Sequence, residues 1–166
     1  MTEKELTLLC RLQGEAFELS HDHTGTSSLI FIRRFMNSNL CKEIDNGQVL
    51  STSLSPLSLL YEIENEYGES TYGSEKYEKD ELYWMGYMYR YIAIACSTSS
   101  AAIYKLIKPK ELRGLFIGYH TLAIETAAER LLEAKNLIYL IQAKENEEER
   151  LKRAYSIYRK HRLRSL

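Results

Sequence analysis

Residues 81–95 constrain this chain more than any other stretch. At helical spacing Leu82, Trp84, Met85, Met88, Tyr91 and Ile92 leave almost no polar face. A helix that is apolar nearly all round has to be surrounded by other elements. The surroundings on offer are helices, because the chain has only 2 prolines and no segment reads as a firm strand. The expected fold is therefore all-α: a multi-helix bundle around a buried central helix at 81–95, with a long C-terminal helix.

The neighbouring segments fit that plan. Leu6, Leu9, Gln13, Ala16 and Phe17 lie along one face of a first helix over 3–19, which Gly25 is positioned to stop. Thr26-Ser27-Ser28 offers cap hydroxyls to the run Leu29 to Met36. That run is β-branched and aromatic, yet Ile32, Phe35 and Met36 continue a helical stripe. A short helix follows through Ile44, closed by Asn46-Gly47, and 48–53 reads as a loop. Ser55-Pro56 opens the next helix, with Leu59, Leu60, Ile63 and Tyr67 inward and Gly68 as its stop. Residues 69–79 are polar and read as a mobile loop, after which Asp80 can cap the central helix. Short helices are expected from Ser99 through Ile107 and from Pro109 through Tyr119. From Leu122 a helical pattern runs for some forty residues, with Ala127, Leu131, Ala134, Ile138, Ile141 and Gln142 inward. Apolar density falls after Gln142. The division expected is a bundle domain at 1–144 and a charged helical extension at 145–166.

Charge and cysteine content narrow the functional classes. The formal net charge is -1, so only a local patch can attract nucleic acid or anionic lipid. Cys10, Cys41 and Cys96 are far apart and odd in number, which suits buried thiols in a reducing compartment rather than a disulfide framework. The first residues are charged, and the apolar runs are too short to cross a bilayer. A cytoplasmic location is expected.

The densest chemical signal is Tyr83-Trp84-Met85-Gly86-Tyr87-Met88-Tyr89-Arg90-Tyr91, in a chain with 13 tyrosines against 4 phenylalanines. Tyr83, Tyr87 and Arg90 share a stripe with Ile94 at i, i+4, i+7 and i+11. Arg90 can stack on Tyr87 or reach a carboxylate on a neighbouring helix. Gly86 costs about 1 kcal/mol relative to alanine in a helix interior, which points to a close helix–helix approach. These residues read as an aromatic pocket with a cationic anchor, or as a tyrosine-rich core with one satisfied arginine.

This segment resembles that of a set of small, largely uncharacterised bacterial helical proteins with a YWxGYxYRY helix, an SSxxIYK segment and an [FY]HT turn. The matching residues are Tyr83 to Tyr91, Ser99-Ser100-Ala101-Ala102-Ile103-Tyr104-Lys105 and Tyr119-His120-Thr121-Leu122. Ala16-Phe17-Glu18-Leu19 and Phe35-Met36-Asn37-Ser38 are similar to the early segments of that set. The chain has Ile92 where the set carries tryptophan and Ala123-Ile124 where it carries Asp-Pro, and the likeness stops near Arg130. Such proteins accompany small toxin genes, so the resemblance implies an antitoxin-like partner role.

Two other constellations carry chemistry. Arg113 and His120 lie seven apart and are similar to the R-x4–6-H site of HEPN ribonucleases, where histidine moves a proton and arginine steadies phosphate. They also read as a surface arginine and a turn histidine, the more ordinary account of one arginine and one histidine at this spacing. The stretch from Arg150 carries Arg150, Lys152, Arg153, Arg159, Lys160, Arg162 and Arg164 with no acid, interleaved with Tyr155 and Tyr158. That composition suits phosphate contact with base stacking. Glu148 and Glu149 stand four residues before Lys152 and Arg153, the order that supports a solvated helix. His21-Asp22-His23 lacks the separated ligands that a zinc site needs. The helix over 109–119 is too apolar, with Leu112, Leu115, Phe116 and Ile117, to read base edges. No phosphate loop, nucleophile elbow or HExxH is present. The function expected is a non-enzymatic protein-binding module without cofactor or metal. The alternatives are a HEPN-like ribonuclease or nucleic-acid binding through the basic tail.

Overall fold

Hydroxyl caps set most of the helix starts. In the computed structural model, which describes residues 2–48, 54–141, 148–149 and 152, α1 (Glu3–His23) opens on Thr2. The Thr2 hydroxyl accepts from Glu5 N–H at 3.3 Å while Thr2 N–H donates to the Glu5 carboxylate at 2.6 Å. Ser27 caps α2 (Ser28–Asn37). Ser38 then serves two helices, its hydroxyl donating to Phe35 O at the end of α2 and accepting from Cys41 N–H at the start of α3 (Asn39–Asp45). Ser55 and Pro56 open α4 (Pro56–Tyr67), and Gly68, at φ 78°, ends it. Helix α5 (Lys79–Ala95) starts two residues earlier than its pattern suggests. Glu78 rather than Asp80 occupies the cap position, its N–H donating to Glu81 at 3.0 Å. Helices α6 (Ser100–Leu106), α7 (Pro109–Tyr119) and α8 (Ile124–Ala134) follow; residues 139–141, 148–149 and 152 are helical as well, and no strand occurs among the described residues. The fold is an all-α helical bundle. None of its described helices is long and apolar enough to cross a membrane.

Two compact units divide the chain, Met1–Ala128 and Glu129–Leu166. The expected boundary between residues 144 and 145 lies outside the described residues, as does most of the expected loop at 48–53.

In the first unit the axis is an antiparallel pair, α1 against α5. Gly86 faces Gln13 and Phe17, Gly14 faces Tyr83, and Asp22 pairs with Lys79. The approach is close: a Cβ on Gly86 would sit 2.8 Å from both Gln13 O and Phe17 Cγ. Helix α2 lays Phe31, Ile32, Phe35 and Met36 into the core. Phe17 meets Phe31 and Phe35 edge-on, with ring centres 5.3 and 5.1 Å apart. The β-branched run is helical because its i, i+4 stripe matches the aromatic face of α1.

Helix α5 is not enclosed all round. Leu82, Trp84, Met85, Met88, Tyr89 and Ile92 are buried, but Tyr83, Tyr87, Tyr91 and Ile94 are half-buried along one edge. Tyrosine covers such an edge well, because its ring packs while its hydroxyl stays wet. Tyr67 on α4, expected inward, is 39% exposed, and Ile117 of the apolar helix α7 is 80% exposed.

Residues 68–78, covering most of the loop expected at 69–79, form a strap laid across the α1–α2 corner. Ser27 N–H donates to Tyr72 O at 3.1 Å and Ser28 N–H to Glu75 O at 2.9 Å. Tyr77 N–H donates to the Ser28 hydroxyl, and the Tyr77 ring is 1% exposed. The Lys76 ammonium reaches Ser20 O at 3.2 Å and Thr24 O at 2.7 Å, where the end of α1 favours positive charge. Burial holds the Lys76 amine below its usual range. Gly25 serves this strap rather than helix termination, since a Cβ there would meet Ser70 O at 2.6 Å. Helix α1 runs four residues past its expected end at Leu19. Tyr77 O bonds His21 Nδ1 and Lys79 pairs with Asp22, so contacts from outside sustain the last turn.

In the second unit the helical pattern expected from Leu122 is interrupted after Ala134, and helix returns at residues 139–141, 148–149 and 152. Helix α8 ends at Ala134, Asn136 takes φ 56°, and Leu137 N–H reaches back to Leu132 O at 2.7 Å while Asn136 N–H bonds Glu133 O at 2.9 Å. That is a left-handed C-cap with asparagine in the place glycine usually takes. Leu132 and Leu137 are buried, whereas Ala134 is exposed.

The glycines separate close packing from open surface. Gly86→Ala has to part α1 from α5 and is expected to lose about 1–3 kcal/mol. Gly114 of α7 has open space where its Cβ would stand and an ordinary helical φ, so Gly114→Ala is expected to gain about 0.5–1 kcal/mol. Urea unfolding of the two variants measures both signs.

Candidate functional site

Arg90 is the largest fully buried side chain among the described residues, 1% exposed, and its helix alone gives it no counter-charge. The charge is met from two other helices, α1 and α3. Arg90 Nε donates to Gln13 Oε1 on α1 at 2.9 Å, Nη1 pairs with Asp45 at the end of α3, and Nη2 points at Cys41 Sγ at 3.5 Å. Asp45 is itself held by α6, accepting from Ser100 N–H at 2.9 Å and from the Ser100 hydroxyl at 2.6 Å. The second side of Gln13 faces Met36 Sδ on α2. Among the described residues every buried polar side-chain atom has a partner. Of the two sequence readings, a pocket anchor or a satisfied core arginine, this geometry is the second.

Tyr83 and Tyr87 are carried by the same face of α5, one turn apart. Their rings lie 6.2 Å apart at 41°, half-buried against α1. Neither hydroxyl is engaged by a hydrogen bond among the described residues. Burial, and behind it Glu15, raises the Tyr83 phenol above its usual range; burial and Cys10 do the same for Tyr87. The structure therefore splits the expected triad. Arg90 is internal, and the two tyrosines face outward along the α1–α5 groove with Arg11, Glu15 and Glu18 as neighbours. Beside Tyr83 a hollow is lined by Glu18, His21, Glu78, Lys79 and Asp80.

Arg113 and His120 go to different partners. Arg113 Nε donates to both Glu81 carboxylate oxygens at 3.0 and 3.1 Å, Nη1 reaches Glu75 at 3.1 Å, and the guanidinium lies 4.0 Å over the Tyr77 ring. It fastens the strap to α5 and α7. Its pKa is raised further, chiefly by the Glu81 bond. His120 ends α7, stacks on Phe116 at 4.6 Å and bonds Phe116 O through Nδ1 at 2.8 Å.

The remaining candidates are quickly placed. His21 and Asp22 bind Tyr77 O and Lys79, and among the described residues no group of three His, Cys, Asp or Glu side chains is gathered for a metal. All three cysteines are buried. Of the basic tail, Lys152 is described, helical and exposed. Arg150, Arg153, Arg159, Lys160, Arg162 and Arg164 lie outside the described residues.

Sequence reasoning missed the partners more than the principals. Asp45 gave no signal, being one acid in a short helix. Gln13 did, because an amide inside an apolar stripe needs a buried partner. Glu81 and Glu75 are invisible as partners of Arg113 until the strap folds back. No protein-family model, curated protein or solved structure matches the chain.

Two measurements probe this core. Asp45→Ala leaves the Arg90 charge buried and unpaired and is expected to cost about 3–5 kcal/mol in urea unfolding. Burial pushes the Cys10 thiol up to about 12 from 9.0, against the opposing pull of Arg90. The folded state thus disfavours the thiolate: its contribution to stability is intact below pH 9.0 and declines as pH rises toward about 12. Near neutral pH a disulfide thiol reagent is expected to label the native chain far more slowly than the denatured one.

Proposed function

We propose that the chain is a non-enzymatic protein-binding module, an antitoxin-like partner that covers the working surface of a small bacterial toxin in the cytoplasm. The observation that carries the reading is the outward pair Tyr83 and Tyr87, half-buried with Tyr83 packed against Gly14 of α1, whose hydroxyls make no hydrogen bond among the described residues. A rigid aromatic with a spare polar tip loses little conformational freedom on binding, which is why tyrosine is favoured at contact surfaces. The same residues stand in the helix that resembles the companions of toxin genes. The arginine of that helix belongs to the support: it fixes α5 from within and keeps the tyrosine edge straight. The ribonuclease alternative asks Arg113 to greet a phosphate, yet Arg113 already faces two carboxylates.

Induction of the adjacent gene alone is expected to arrest bacterial growth, and co-induction with this chain to restore it. A Tyr83→Ala/Tyr87→Ala variant is expected to bind the neighbouring product at least about tenfold more weakly, consistent with about 1–2 kcal/mol at a contact hot spot. Gel filtration that shows no complex between the two wild-type products overturns the proposal.

A further inference from the structure

We infer that the Tyr83–Tyr87 edge receives a cationic side chain, arginine or lysine, from a basic segment of its protein partner; this rests on the reading of that edge as a protein contact. The rings are 6.2 Å apart and tilted at 41°, so both present a face or edge to one incoming group. A planar guanidinium matches such a surface through its attraction to the ring faces.

The charges around the edge select the sign of that group. Glu15, Glu18 and Glu125 are close enough to bear on the two phenols, and Glu78 and Asp80 line the hollow beside Tyr83. The cations there are already engaged: Arg11 pairs with Glu15 at 3.3 Å, and Lys79 pairs with Asp22. Glu18 and Glu125 enter no ion pair among the described residues, so the edge keeps negative charge to offer. An anionic partner would meet repulsion, and a purely apolar one would strand those carboxylates.

Charge along the chain points the same way. All 23 acidic residues lie at or before Glu149, together with 15 of the 22 lysines and arginines, the other seven falling after it. Apart from its last residues the chain is acidic, and an acidic body steers basic partners toward itself.

The probe is nona-arginine, titrated calorimetrically into the full chain, with nona-citrulline as its uncharged counterpart. Nona-arginine is expected to bind, nona-citrulline not to bind, and a rise from about 50 to about 300 mM salt to weaken binding several-fold. Tyr83→Ala/Tyr87→Ala is expected to lose about tenfold in affinity, Tyr83→Phe/Tyr87→Phe to retain most of it, and Tyr61→Ala on α4 to be silent. The surface pair Glu18→Gln/Glu125→Gln, which leaves the core untouched, is expected to weaken binding and flatten its salt dependence. Absence of binding at low salt overturns the inference, and so does equal binding by the tyrosine-to-alanine variant. The underlying reading fails separately. If the neighbouring gene product forms a complex that excess nona-arginine does not displace, the protein contact stands and its cationic character is wrong. If the peptide binds at the tyrosines and no complex forms, the reverse holds.

Discussion

The guanidinium of Arg90 imposes one demand on the whole first unit: a charge without water must be surrounded by acceptors. Those acceptors come from different stretches of chain. Gln13 of α1 takes one donor, Asp45 of α3 takes another, and Asp45 is placed by Ser100 at the first turn of α6. A shift of any of these helices along its axis would break a bond that nothing else can replace. Apolar packing alone tolerates such sliding more readily than a directional network does. The polar knot therefore sets the register of helices whose hydrophobic faces only set their proximity.

That register is what gives α5 two opposite characters. Its inner side is locked against α1 through Gly86 and Gly14, with no room for a methyl group at Gly86. Its outer edge is tyrosine, and the backbone beneath it is held from both sides. Tyr89, on the buried side, donates to Ile107 O at 2.7 Å, and burial lifts its phenol far above the usual range. Tyr83 and Tyr87 have the same chemistry, with no hydroxyl bond among the described residues. One residue type thus closes the core at one position and offers a contact at another, according to which side of the helix it occupies.

The helices were legible in the sequence wherever periodicity and a cap hydroxyl agreed. Ser27, Ser38, Ser55 and Ser99 each stand where a helix begins. Errors arose where the deciding contact is remote. His21 to His23 stay helical because Tyr77 and Lys79 hold them. Residues 68–78 look like a free loop by composition, and only the docking of Tyr77, Lys76 and Arg113 makes them a strap. The end of α8 was missed because asparagine substitutes for glycine in its cap. For the site, the stripe of Tyr83, Tyr87 and Arg90 was readable from spacing. Which of the three faces inward was not, because that depends on Asp45 and Gln13, 45 and 77 residues away.

The strap also bears on the order in which the chain folds. Helix α2 is short, and the N–H groups at Ser27 and Ser28 donate to Tyr72 O and Glu75 O. Its start is thus completed by a segment more than forty residues downstream, with α3 and α4 between. A helix that looks local is kinetically a long-range element, since closing that loop has an entropic cost before the bonds form. Helix α1, with its own capping box, has no such dependence at its start. The start of α1 is closed within its own first turn, while the start of α2, capped locally by Ser27, is also tied to the strap that leads into α5.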